Sequence, residues 1–166
     1  TTATLAMGDA VAVALLEARG FSAEDFALSH PGGSLGRKLL LRLDDVMHRD
    51  DQVPIVSQHA SIKDALLEIS KKGLGMTAVV DDSGKLAGIF TDGDLRRILD
   101  QRFDIHSNSI AEVMTRHCIT ANSQMLAAEA LQIMQQKKIN GLIILNDQQI
   151  PVGAMNMHDL LRAGVL

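Results

Sequence analysis

Gly88-Ile89-Phe90-Thr91-Asp92-Gly93-Asp94-Leu95 and Gly153-Ala154-Met155-Asn156-Met157-His158-Asp159-Leu160 decide the fold, because they are two copies of one pattern. Gly, Asp and Leu recur at an offset of 65 residues. The same offset carries the apolar run Thr77-Ala78-Val79-Val80-Asp81 onto Leu142-Ile143-Ile144-Leu145-Asn146, and Asp64-Ala65-Leu66 onto Glu129-Ala130-Leu131. Upstream, Asp45-Val46-Met47 matches Glu112-Val113-Met114 at an offset of 67, so a two-residue length change lies between these landmarks. Four landmarks in one order indicate a duplication, where any one alone would be noise.

Each copy reads as the same string of elements. Val53 to Val56 is a short apolar strand. Ser61 caps a helix, with Asp64 as the reciprocal acid three residues on. Ile62, Ala65, Leu66 and Ile69 mark the helix's apolar face, and Gly73 suits its stop. Strands Thr77 to Val80 and Leu86 to Phe90 flank the turn sequence Asp81-Asp82-Ser83-Gly84. Asp92 begins a second helix of about two turns. In the second copy Ser123 is expected to open the helix bearing Leu126, Ala127, Ala130, Leu131 and Met134. Strands follow near Leu142 to Leu145 and Pro151 to Met155, and a last helix starts near His158. The pattern is therefore α/β (α+β), β-α-β-β-α twice. A copy of about 60 residues is marginal by size. Two copies packed sheet to sheet bury the faces each leaves open, with pseudo-twofold symmetry and a cleft between them.

Residues 1–42 lie outside the repeat. Leu5, Ala12, Leu15 and Leu16 give an N-terminal helical segment ended by Arg19-Gly20, and Ser22 with Asp25 caps a short second helix. The Gly-rich stretch Ser29 to Gly36 is a loop, and a linker is placed near Leu40 to Asp44. The expected divisions are thus 1–42, 43–104 and 105–166.

The 166 residues are 46% apolar and 22% charged, with four Phe and neither Trp nor Tyr, so the core is aliphatic and Met-rich. Scarce aromatics remove base-stacking platforms, and a net charge of −4 with dispersed basic pairs argues against a nucleic acid partner. The lone Cys118 fits a reducing, cytoplasmic compartment and reads as a small buried apolar group. No apolar run is long enough for a bilayer. The six His and one Cys show no metal-ligand spacing. The chain opens at Thr1 in helical periodicity, which reads as a fragment of something longer.

Gly-x-x-Thr-x-x-Asp carries the chemistry. Gly88 in a strand permits close backbone approach. Asp94 in the first turn of the next helix can accept from the vicinal hydroxyls of a ribose, and Thr91 with free helix N–H groups suits a phosphate. Thr and Asp at a helix start also serve as plain caps. Recurrence at matched positions favours the ligand reading.

These residues resemble the CBS domain family, in which tandem modules bind adenosine-type or other nucleotides in their clefts. The resemblance implies a nucleotide site at Met76, Thr77, Ala78, Thr91, Asp92, Asp94 and Arg97 in the first module. In the second it implies Asn156, His158 and Asp159, with Asn156 where Thr or Ser is usual and Gly141 and Leu142 at the base pocket. Arg96 and Arg97 could reach an anionic tail or be exposed helix surface; His158 could meet a phosphate or cap the helix.

The stretches Thr1 to Ala10, Ala18 to Phe26, Ser29 to Arg37 and Met157 to Leu166 resemble bacterial arabinose 5-phosphate isomerases, built as a SIS domain followed by two CBS modules. This implies a parent enzyme interconverting ribulose 5-phosphate and arabinose 5-phosphate for Kdo, used in lipopolysaccharide or capsule. His30 falls on that family's active-site histidine; its other catalytic groups would lie upstream, so the chain itself is expected to be inactive. No cofactor is required. The expected role is regulatory, with CMP-Kdo or an adenine nucleotide as ligand and homo-oligomers formed through the CBS pairs. The alternatives are an intact isomerase and a purely structural dimerisation module.

Overall fold

The computed structural model describes residues 1–22, 25, 40–99 and 104–165. His30 and the Ser29 to Gly36 stretch lie outside them. The chain divides into two units, Thr1–Leu41 and Arg42–Leu166. In the first, helix α1 (Thr2–Ala18) ends where Gly20 takes a left-handed φ of 63°. Its Leu5, Leu15 and Leu16 are exposed. Ser22 and Asp25 exchange capping hydrogen bonds, the Asp25 amide donating to Ser22 Oγ at 3.1 Å.

The second unit holds the repeat. A short helix α2 (Leu43–Val46) leads into β1 (Ile55–Ser57), α3 (Ile62–Lys72), β2 (Met76–Val80), β3 (Leu86–Thr91) and α4 (Asp92–Leu99). The second copy runs β4 (Thr120–Ala121), α5 (Ala127–Lys137), β5 (Gly141–Leu145), β6 (Pro151–Asn156) and α6 (Met157–Arg162). Each copy makes a three-stranded sheet in chain order, its first pair parallel and its second antiparallel.

The duplication reaches residue register. Ile55 pairs with Ala78 and Met76 with Thr91; Thr120 pairs with Ile143 and Gly141 with Asn156, each 65 residues on. Even the bulge repeats, at Val79/Val80 and at Ile144/Leu145. Strand alternation splits the side chains into two sets. Met76, Ala78 and Ile89 pack with Ile143, Leu145 and Ala154 between the halves. Val79 and Phe90 turn the other way, onto Ile62, Ala65, Ile69 and Ile98 of α3 and α4.

The halves are also tied by exchanged lead segments. His48 bridges to Ala154 on β6, and Thr115 bridges to Ile89 on β3. Arg42 bridges to Leu126 and Ser61 to Ser109. Each partnership is the pseudo-twofold mate of another. Arg42 to Asp44, read as linker, is therefore docked, with the Leu43 amide donating to the Met125 carbonyl at 2.9 Å and Leu43 fully buried.

Two helix ends differ from expectation. Ser61 and Asp64 cap α3 reciprocally as read, and Gly73 closes it at φ 71°. Ser123, however, does not open α5; the helix starts at Ala127. The Ser123 and Met125 carbonyls instead accept from Asp44 and Leu43, and Ser123 sits in a turn closed by the Met125 amide donating to the Asn122 carbonyl at 3.2 Å. At the other end of α5 the position matching Gly73 is Lys138, held left-handed at φ 55°. That conformation costs a side chain about 1–2 kcal/mol that glycine avoids.

Candidate functional site: a cleft at the start of helix α4

The strand β3 to α4 junction is built by reciprocal capping. The Thr91 amide and hydroxyl donate to Asp94 Oδ2 at 2.8 and 2.6 Å, and the Asp94 amide donates back to Thr91 Oγ1 at 3.2 Å. Asp94 Oδ1 accepts from Thr115 Oγ1 at 2.9 Å and from the Arg97 guanidinium. Thr91 and Asp94 therefore cap α4 and also line a cavity. Asp94 is only 3% exposed, and these donors satisfy its buried carboxylate oxygens.

A cleft of about 460 Å³ opens beside it. Its first wall is Leu74, Gly75, Met76, Ile89, Thr91 to Asp94 and Arg97; its second is Thr115, His117, Cys118, Ile119 and Lys138 to Gly141. Both copies thus contribute to one cavity. At Gly141 a Cβ would stand 2.6 Å from the Met76 sulfur, so the Met76 side chain would have to move aside. Gly88 is required behind it, since a Cβ would stand 2.8 Å from the Thr115 carbonyl oxygen.

Chemically the cleft has a mixed lining. Met76, Ile89 and Ile139 give an apolar floor, Asp94 with Thr115 gives a hydroxyl-matching corner, and Arg97 and Lys138 bring positive charge. The Arg97 side chain is 67% exposed, so its guanidinium stands at the rim within reach of a ligand anion. Burial pushes the Cys118 thiol up, which keeps it a neutral wall and not a nucleophile.

The expected site residues divide. Met76, Thr91, Asp92, Asp94 and Arg97 line the cleft together. Thr77 and Ala78 are wholly buried, Ala78 in the core between the sheets, and neither lines it. Arg96 is exposed on α4 away from the lining. Gly141, expected at the second base pocket, borders the Asp94 cleft, while Leu142 is buried.

Asn156, His158 and Asp159 stand at the matching junction of β6 and α6. Asn156 and Asp159 form the same capping box. Asp159 Oδ1 accepts from His48 Nε2 at 3.0 Å and Arg162 at 2.9 Å. Burial alone would raise the Asp159 carboxyl; the Asn156 amide, the His48 ring and Arg162 overcome it and hold the group below the usual carboxylate range. His158 is exposed. Thr115, His117 and Lys138 were not found by sequence reasoning. Thr115 was legible in principle, because it follows the second Val-Met landmark as His48 follows the first.

Among the described residues no group of three His, Cys, Asp or Glu side chains is placed to hold a metal, and no helix is long and apolar enough to cross a membrane.

The CBS domain model matches residues 43–101 and 110–166. Arabinose 5-phosphate isomerase KdsD of Pseudomonas aeruginosa is 59% identical over the whole chain, which covers 51% of that protein. The KdsD of Salmonella typhimurium is 58% identical, again over the whole chain and 50% of its own length. The chain therefore spans about half the length of the curated relatives it matches. Among solved structures, the CBS domain pair of protein MJ0100, in complex with 5'-methylthioadenosine and S-adenosyl-L-methionine, superposes with a TM-score of 0.64 at 28% identity. That match covers 73% of this chain and 97% of the other. With two matched segments, a register-level repeat and a shared cleft, the chain belongs to the CBS domain family as a tandem pair.

Proposed function

We propose that this CBS pair is the nucleotide-sensing regulatory part of an arabinose 5-phosphate isomerase, acting in the cytoplasm, and that the cleft at Asp94 holds the nucleotide. The observation that carries the reading is the cavity of about 460 Å³ in which a buried carboxylate, a hydroxyl and two cations surround an apolar floor. A ribose would exchange its hydroxyls for those of Thr115 at Asp94, a phosphate would draw Arg97 and Lys138, and a base would lie against Met76 and Ile139. Charge-assisted bonds of this kind contribute about 1.5–3 kcal/mol each. The identity with the KdsD isomerases supports the enzyme context, and the nucleosides held by the MJ0100 pair support the ligand class.

In this reading the ligand is CMP-Kdo or an adenine nucleotide, and its binding biases the pair between two arrangements felt by the catalytic part, to which His30 belongs. Coupling of this type needs differential contact with the two states. The exposed Leu99 on α4 and Leu161 on α6 favour association of pairs into homo-oligomers, which sedimentation would read directly.

The test is calorimetric titration with CMP-Kdo, AMP, ATP and CMP. The reading expects saturable heat with at least one of them, weakened roughly tenfold or more by Arg97→Ala, the loss of one charge-assisted bond. No heat with any of the four sinks it.

A further inference from the structure

We infer that the two pseudo-equivalent crevices differ in kind: the Asp94 cleft receives the ligand, while His48 fills the matching position at Asp159 as an internal plug, so each chain binds one nucleotide. The inference rests on the nucleotide reading above and assigns its stoichiometry.

The matched positions are fixed by hydrogen bonding. Thr115 exchanges backbone hydrogen bonds with Ile89 as His48 does with Ala154. At the same point in space Asp94 Oδ1 meets a threonine hydroxyl and Asp159 Oδ1 meets an imidazole. A ligand hydroxyl can replace the first one for one. Replacing the second requires moving a whole ring. That ring is clamped on its other side, since Nδ1 stands 3.1 Å from Gln52 Oε1. Gln52 is supplied by the 3-10 turn Asp50–Gln52. This turn is where the two-residue length change falls: His48 is five residues from Val53, while Thr115 is three from Cys118.

A second observation points the same way. Lys138 borders the Asp94 cleft, and its counterpart 65 residues earlier is Gly73, so the other crevice lacks that cation. It also has Asn156 where the first has the Thr91 hydroxyl. Three changes, His48, Gly73 and Asn156, weaken that side for a ligand, although it keeps Asp159 and Arg162 in the places of Asp94 and Arg97.

The experiment is equilibrium dialysis of the full chain against radiolabelled AMP, with His48→Thr, Gln52→Ala, Arg97→Ala and Arg162→Ala. The wild type takes up one equivalent, lost with Arg97→Ala and kept with Arg162→Ala. His48→Thr takes up a second equivalent, lost when Arg162→Ala is added. Two equivalents in the wild type, or one lost with Arg162→Ala alone, overturns the plug and leaves the nucleotide reading standing. If the wild type takes up none, the nucleotide reading fails for this probe. His48→Thr then decides the plug: uptake supports it, and none overturns it. Should His48→Thr lose cooperative unfolding, Gln52→Ala, which unclamps the ring and keeps the Asp159 bond, replaces it. A second, weaker equivalent supports the plug and its absence overturns it.

Discussion

Replacing Gly88 with alanine strikes the point where the second half's lead segment crosses the first half's sheet. A Cβ there would stand 2.8 Å from both the Thr115 carbonyl oxygen and the Met114 sulfur. The sulfur can swing aside. The carbonyl cannot, because it accepts from the Ile89 amide at 2.9 Å while the Thr115 amide donates to the Ile89 carbonyl at 2.8 Å. Relief therefore needs the bridge to open by roughly half an ångström. Overpacking of this sort costs about 1–3 kcal/mol, and weakening the bridge adds about 1 kcal/mol. Alanine's lower unfolded-state entropy returns about 0.5–1 kcal/mol. The net destabilisation is about 2 kcal/mol, a fall in Tm of about 6–10 °C for a unit of this size. The internal control is Gly93→Ala, whose Cβ meets only Thr91 Oγ1 at 3.5 Å and which gains helix propensity in α4. Differential scanning calorimetry of both variants reads the contrast. Gly88→Ala melting at or above the wild type would refute the exchanged-segment account of how the halves are joined.

Further outcomes follow from the same geometry. Lys138→Gly relieves a left-handed lysine, so Tm holds or rises slightly while AMP affinity falls; a lower Tm with unchanged affinity in calorimetry would contradict both roles. Asp159 makes stability depend on acid. Its folded carboxyl is held below the ordinary value of 3.8, so its contribution is whole above that pH and is lost as pH falls through the lower folded value. Denaturant midpoints between pH 6 and about pH 2 should therefore decline less for Asp159→Asn than for the wild type, and equal slopes would remove the effect.

Much of the fold was legible because duplication writes itself twice. Gly88 and Gly153, Asp94 and Asp159, and the apolar runs of β2 and β5 recur at one spacing, and a spacing is visible without any structure. The bridges Arg42 to Leu126 and Ser61 to Ser109 were not, since pairing across such separations leaves no local pattern. Ser123 misled because a capping serine and a serine in a turn look alike until the Asp44 amide arrives. Lys138 was hidden by its type: a lysine at a helix end suggests solvent, and only the match to Gly73 exposes its left-handed backbone and its place at the cleft. The strand suggests Thr77 and Ala78 for the pocket, but these neighbours lie on opposite faces of β2 and both are fully buried, while Met76 at the strand's start reaches the lining.

The central claim is that the Asp94 cleft binds a nucleotide, and methyl NMR of protein carrying ¹³C-methyl methionine tests it most directly. Met76 lies on the cleft floor and is 2% exposed. Titration with AMP or CMP-Kdo should move the Met76 methyl resonance saturably. A Met76 signal that stays fixed at millimolar concentrations of both ligands would contradict it.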